Sequence, residues 1–148
     1  MAVAFLPTTL RDNWGSCSNY MKLTPCDNAF SIYIRVRDAD SNGMCKCISS
    51  GKLFHWTQCD AGHFINRKHL SLRFNECNVN AQSRSDNRFD EGNLEGYRRG
   101  LIEKYGSDII DQLYAMKNQV KKFSDFEIKA MTKHFKSEAD KIKKEKGL

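Results

Sequence analysis

The stretch from Cys59 to Asn93, CDAGHFINRKHLSLRFNECNVNAQSRSDNRFDEGN, constrains this chain more than any other. It concentrates the chemistry: His63, Asp60, Asn78, Asn87 and a basic cluster of Arg67, Lys68, His69 and Arg73. Taken singly, Asn78 and Asn87 read as loop residues, because Asn tolerates left-handed backbone and is common in turns. Just before the stretch, Lys52 to Gln58, KLFHWTQ, reads as a strand, and the segment Asp40-Ser41-Asn42-Gly43 reads as a turn. His55, inside that strand, has no assigned role.

The blocks DAGHFINR (60–67), LRFNECNVNAQ (72–82) and NRFDEGN (87–93) resemble the phage NinG (Rap) recombination nucleases. The resemblance is strongest over residues 30 to 105 and extends into the helical C-terminal third. That family is similar to HNH endonucleases and is associated with cutting Holliday junctions and other branched DNA. It implies an α+β fold in a single domain, 1–148: an irregular arm over 1–26, a helix and degenerate zinc knuckle over 27–50, an HNH-type ββα-metal core over 51–93, and helices over 94–148. The resemblance places His63 at the end of one strand, Asn78 on or just before a second, and Asn87 on the helix that follows.

The same resemblance assigns the catalytic roles to His63, Asn78 and Asn87. Phosphodiester cleavage needs an activated water, neutralised phosphate charge and help for the departing oxygen, and one histidine with one divalent cation can supply all three. His63 is then the general base, and Asn78 is expected to bond across the hairpin and fix its ring. Asn87, through its amide oxygen, and Asp60 are the expected ligands of Mg²⁺ or Mn²⁺, which favour oxygen donors. Many HNH proteins carry an acidic residue immediately before the histidine, where this chain has Gly62. Asp86 and Asp90 are alternative ligands, and an Asx turn is the structural alternative for Asp60.

The family pattern expects cysteines at 47, 50, 83 and 86, and this chain has Cys47, Ser50, Ser83 and Asp86. Two Ser and one Asp are poor replacements in a Cys₄ site, so the structural zinc is expected to be lost. A replacement site from Cys45, Cys47, Cys59 and Cys77 matches no usual spacing. The six cysteines are expected to be free thiols in a reducing cytoplasm, that of the host cell for a phage protein. The opening MAVAFLPTTLRDNW makes a poor secretory signal. Cys17 and Cys26 read as buried or partly buried thiols.

A formal net charge of +6 over 148 residues favours a polyanionic partner. The expected partner is DNA, branched by the family resemblance, with Arg67, Lys68, Arg73, Arg84 and Arg88 as phosphate contacts. Solubility alone is the alternative explanation for the cluster, and Asn66 and His69 are weaker candidates. No run of residues approaches the length of a membrane span. A junction has two-fold symmetry, so a homodimer would place two His63 sites on paired strands.

Outside the core, Pro7, Gly15 and Pro25 suggest the irregular arm, with Trp14 and Tyr20 either pinning it or stacking on a base. Residues 27 to 38 fit a strand by alternation of Phe30, Ile32, Ile34 and Val36, or a helix capped by Asp27; the resemblance favours the helix. Arg35 and Arg37 would then lie near the knuckle, on a solvated face or against a phosphate. Leu94, Tyr97, Leu101, Ile102 and Tyr105 make one helical face, which Gly106 ends, and Ser107 is expected to cap the next helix. Ser124 and Glu127 form a capping box before the stripe Ile128, Met131, Phe135, Ala139 and Ile142. The lysine-rich end of that helix reads equally as a solvated tail or an added grip on DNA.

The reading is a metal-dependent DNA endonuclease of branched substrates. Alternatives are a DNA-binding module that has lost cleavage and a nicking enzyme for ordinary duplexes.

Overall fold

Leu23, Cys26, Ala29, Phe30 and Ile34 recur at three- and four-residue spacing and are all buried. They form one face of a long helix, α1, Thr9–Asp38. The computed structural model describes residues 9–89 and 91–148, with side chains in α1 described from Lys22 onward. Helical from Thr9, the chain departs from the irregular arm expected over 1–26, and Pro25 sits inside the helix. Burial of Leu23 and Cys26 on either side of that proline outweighs the single backbone hydrogen bond it removes. Asp27 is therefore mid-helix and not a cap. Trp14, Cys17 and Tyr20 lie outside the described side chains.

The chain then forms β1, Met44–Lys46, and β2, Leu53–His55, paired antiparallel with Cys45 opposite Phe54. Asp40 makes the turn into β1, its carboxylate accepting from the backbone N–H groups of Asn42 and Met44. A 3₁₀ turn over Trp56–Gln58 follows, with the His55 ring accepting from Thr57 N–H. The strand read over 52–58 is thus only its first half, and its partner is β1. The hairpin that carries His63 uses the next strand, β3, Cys59–His63, paired antiparallel with β4, Val79–Ser83, so that Asp60 faces Gln82 and His63 faces Val79.

Between β3 and β4 lies a short helix, α2, Leu70–Arg73, and after β4 comes α3, Arg84–Phe89. The order strand, loop, strand, helix is the one expected around His63, Asn78 and Asn87. Three further helices complete the described residues: α4, Leu94–Tyr105, α5, Ile109–Lys117, and α6, Asp125–Lys146. The fold is mixed α+β, with two small two-stranded sheets and several helices.

Tyr97, Leu101, Ile109, Ile110 and Leu113 pack against Ile65 and Leu72, docking α4 and α5 on the loop of the hairpin. On the other side, Phe135 of α6 meets Phe30 of α1 at a ring separation of 4.7 Å, with Val79 of β4 in the same cluster. Ser124 and Glu127 do form the capping box of α6. At the far end Lys146 donates to the carbonyls of Val36, Arg37 and Ala39. It neutralises the C-terminal end of α1, which gives part of the basic tail a structural role. Ser107 is not the cap of α5: Asp108 occupies that position without a capping side chain.

Candidate active site

His63 ends β3 with its ring half-buried, and its Nε2 lies 2.9 Å from the carbonyl oxygen of Arg73. A carbonyl can only accept, so Nε2 carries the proton and Nδ1 keeps the lone pair. Nδ1 has no hydrogen-bond partner among the described residues. Burial holds the imidazole below its ordinary value of 6.5, although the Arg73 carbonyl opposes that shift. The neutral, proton-accepting form therefore prevails at neutral pH.

The Arg73 backbone is fixed by its own side chain. Its guanidinium, 1% exposed, binds Asp27 of α1 in two-pronged fashion, Nε to Oδ1 at 2.8 Å and Nη2 to Oδ2 at 2.5 Å. This corrects the assignment of Arg73 as a DNA contact, because a buried guanidinium already paired with a carboxylate cannot reach a phosphate. Its contribution is to anchor the carbonyl that orients His63.

Asn78, fully buried, does not touch the His63 ring as expected. Its Oδ1 accepts from Ile65 N–H at 2.8 Å, and its Nδ2 donates to the carbonyls of Ile65 and Leu72 at 2.9 and 3.1 Å. Asn78 thus clamps the loop that leaves β3, and its effect on His63 passes through the backbone. Tyr97 supports the same junction from α4, its hydroxyl donating to the Gly62 carbonyl at 2.7 Å. A Cβ at Gly62 would meet the Gln82 side chain, whose amide end would have to move aside.

Asp60 and Asn87 meet across the hairpin and α3. Asn87 Nδ2 donates to Asp60 Oδ2 at 2.9 Å, and Arg88 donates to both carboxylate oxygens at 2.8 and 2.9 Å. Burial raises the Asp60 carboxyl, but the Arg88 and Asn87 hydrogen bonds and the Arg88 and Arg84 charges hold it below the usual carboxylate range. Asp60, His63, Asn66, Arg67, Asn87 and Arg88 share one cleft of about 730 Å³. The carboxylate and the Asn87 amide are hard oxygen donors, a set that suits Mg²⁺ or Mn²⁺ with water and phosphate completing the shell. Among the described residues no group of three or more His, Cys, Asp or Glu converges as a metal cage.

Arg67, Lys68, Arg84 and Arg88 are exposed. Asn66 is committed to a turn, its side chain accepting from Lys68 N–H. Arg35 donates to the carbonyls of Ser31 and Trp56, and Arg37 is drawn into bonds with Asp38, Asn80 and the Glu76 and Val79 carbonyls. Neither is placed to meet a phosphate.

The four degenerate knuckle positions do come together. Asp86 Oδ2 accepts from Ser83 Oγ at 2.5 Å and from Cys47 Sγ at 3.4 Å, while Cys47 Sγ accepts from Ser83 N–H at 3.2 Å. Asn93 donates to the other Asp86 oxygen at 2.9 Å. Burial raises the Asp86 carboxyl, but hydrogen bonds from Ser83, Asn93, Cys47 and Ser50 hold it below its usual range. A hydrogen-bonded carboxylate thus joins the parts that four thiols would join around a metal. The alternative set of Cys45, Cys47, Cys59 and Cys77 does not form: Cys47 belongs to this cluster, Cys45 and Cys59 to a separate apolar one, and Cys77 packs near α4. Asp90 lies outside the described residues.

Asp27, Arg73 as an anchor, and Tyr97 escaped the sequence reading. Tyr97 gave a signal only as an apolar helical position, and its hydroxyl bond is a tertiary fact.

A family model described as Bacteriophage Lambda NinG protein matches residues 16–145. Protein ninG of Escherichia phage lambda is 37% identical over 92 residues, covering 62% of this chain and 43% of that protein, and protein ninG of Enterobacteria phage H19B gives the same figures. Protein ninG of Salmonella phage P22 is 38% identical over 86 residues, 57% of this chain and 40% of that protein. The matched segment spans less than half the length of these relatives. No solved structure shows a significant match. With most of its length matched by the family model, the chain belongs to the NinG family.

Proposed function

We propose that this protein is a metal-dependent DNA endonuclease of the HNH type that cuts Holliday junctions or other branched recombination intermediates. The observation that carries the reading is His63: its Nε2 is committed to the Arg73 carbonyl, its Nδ1 has no partner among the described residues, and it lines a cleft shared with Asp60, Asn87 and exposed arginines. A base needs an available lone pair at neutral pH, and burial supplies it.

His63 Nδ1 takes the proton from a water molecule, and the resulting oxygen nucleophile attacks the phosphorus in line, leaving a 5′-phosphate and a 3′-hydroxyl. The imidazolium so formed keeps its Nε2–H on the Arg73 carbonyl, where the hydrogen bond strengthens as charge develops. Asn78 and Tyr97 hold the backbone on either side of His63, so the ring does not drift from the phosphate. Asp60 and Asn87 would hold a divalent cation, which supplies charge neutralisation at the scissile phosphate and at the departing oxygen. Arg67 and Lys68 bind the flanking backbone. Replacing both should weaken binding and flatten the dependence of log K on log salt by about 2, one for each phosphate no longer neutralised.

A second reading, a DNA-binding module without cleavage, is favoured by one observation: the Asp60 carboxylate is fully engaged by Arg88 and Asn87. The deciding test is cleavage of a labelled four-way junction beside its matched linear duplex, with Mg²⁺ or Mn²⁺, with and without EDTA. Metal-dependent cutting of the junction alone is the expected result. Equal cutting of both substrates would keep the chemistry and remove the branch preference, leaving a nicking or cutting enzyme for ordinary duplexes. Binding without cutting under either metal would leave the module.

A further inference from the structure

Both oxygens of Asp60 are already occupied, and by a cation belonging to the chain. Arg88 donates Nε–H to Oδ2 at 2.8 Å and Nη2–H to Oδ1 at 2.9 Å, the planar fork that matches a carboxylate. Arg84 adds its charge, Nε lying 3.7 Å from Oδ1, while its Nη2 is tied to the Thr57 carbonyl. Asn87 points its Nδ2 at Oδ2, and its Oδ1 has no partner among the described residues. Arg84 lies one helical turn before the adjacent Asn87 and Arg88 on α3, and all three side chains reach toward one carboxylate.

The two-pronged Arg73–Asp27 pair is of a different kind. Arg73, which holds Asp27, is 1% exposed and sealed in the structure; the Arg88 side chain is 55% exposed. The Arg88 side of this pair is open to solvent, so its guanidinium can leave Asp60 without being stranded in the interior. The exposed fork lines the same cleft as His63 and Arg67, where a phosphate would enter.

We propose that the Arg88 guanidinium stands in the cation's place on Asp60 and is exchanged onto the substrate phosphate, so that the divalent cation and DNA bind cooperatively. This rests on the reading of Asp60 and Asn87 as the cation's ligands. A divalent cation on Asp60 would compete with the Arg88 fork for the carboxylate lone pairs and repel its guanidinium, so cation binding favours release of Arg88. The freed guanidinium then offers its fork to phosphate, a ligand of the same geometry as the carboxylate it left. Linkage makes the effect reciprocal: phosphate that captures Arg88 uncovers Asp60 and tightens the cation by the same factor. Without DNA the site is masked, which restrains cleavage chemistry until substrate is bound.

The test uses the full chain carrying His63→Ala, intended to bind without cutting, and reads free Mn²⁺ by its electron paramagnetic resonance signal. Mn²⁺ affinity is measured alone and with a short four-way junction, with the Mn²⁺ held by the DNA itself determined separately. Adding Arg88→Gln should tighten Mn²⁺ roughly fivefold or more in the absence of DNA, the size of an ordinary coupling. The junction should tighten Mn²⁺ when Arg88 is present and have little effect when it is Gln. Arg67→Gln removes a positive charge from the same cleft without touching Asp60, and should change Mn²⁺ affinity far less. If Arg67→Gln acts as strongly as Arg88→Gln, the effect is general electrostatics and the exchange is overturned. If Arg88→Gln leaves Mn²⁺ affinity unchanged while Asp60→Asn abolishes it, the exchange is wrong and the cation site stands. If Asp60→Asn leaves Mn²⁺ binding intact, the cation is elsewhere and both readings fall.

Discussion

His63, the proposed base, owes its neutral ring to burial and its orientation to a single backbone carbonyl. Because burial lowers the ring below its ordinary 6.5, the acid limb of the cleavage rate should have its midpoint below pH 6.5. His63→Ala should abolish cutting and leave junction binding intact, as measured by gel shift beside the cleavage assay. The support for that carbonyl is the Asp27–Arg73 pair. Asp27→Ala would leave a buried guanidinium without its carboxylate and should cost about 3–5 kcal/mol of stability, read from urea unfolding. It should also slow cleavage under conditions where the variant remains folded. Where residues act through contiguous motif positions the sequence was informative: Asp60, His63 and Asn87 do line one cleft. The Asp27–Arg73 pair was illegible because its partners are 46 residues apart and each looks like a surface charge in isolation.

At positions 47, 50, 83 and 86, where the family resemblance suggests a zinc knuckle, hydrogen bonds join the turn after β1 to the start of α3. The backbone turn is intact, with Gly51 N–H donating to the Cys47 carbonyl at 2.8 Å and Gly51 in left-handed backbone at φ 72°. Asp86 gathers the side chains of Ser83, Cys47 and Asn93. Asp86→Ala should lower stability by about 1 kcal/mol, a modest figure because the carboxylate is partly open to solvent. The triple variant Ser50→Cys, Ser83→Cys, Asp86→Cys, with Cys47 retained, presents four thiols around one point and should bind one zinc ion. The expected readouts are one zinc per chain by elemental analysis and a melting temperature that rises with zinc and falls back with chelator. Absence of bound zinc would mean that the hydrogen-bonded cluster has a geometry a tetrahedral metal cannot use. At this scale the sequence reading succeeded where capping and periodicity were strong, as in α6. It failed at α1, where Pro25 signalled a break that burial of Leu23, Cys26, Ala29 and Phe30 around it overrides.

A buried polar network joins the parts of the molecule on which the site stands. Asp38, at the end of α1, accepts from Arg37, from Lys104 of α4 at 3.0 Å and from Ala81 N–H of β4 at 2.8 Å, while Asn80 Oδ1 accepts from Arg37, Lys104 and Tyr105. None of this was readable from one sequence, since α1, β4 and α4 are separated by long stretches of chain and their charges look solvated. Burial alone would raise the Asp38 carboxyl, but Arg37, Lys104 and the Ala81 N–H together hold it below its ordinary 3.8. A carboxyl depressed in the folded state contributes stability that is present above the unfolded value and is lost as pH falls through the folded one. His63 acts in the same direction from a higher starting point. Below about pH 6.5 the unfolded chain takes up a proton that the buried ring refuses, so folding weakens until the ring itself protonates. Unfolding free energy should therefore decline in two stages on acidification, one beginning near 6.5 and one near 3.8. Urea titrations across pH separate them. His63→Gln should remove most of the first stage and leave the second, and Asp38→Asn, while lowering stability at neutral pH, should remove Asp38's share of the second, to which Asp60 and Asp86 also contribute, and leave the first. A first stage that survives His63→Gln would mean that another group, and not the proposed base, carries the buried neutral imidazole's signature, and the assignment of His63 as a neutral base would lose its physical ground.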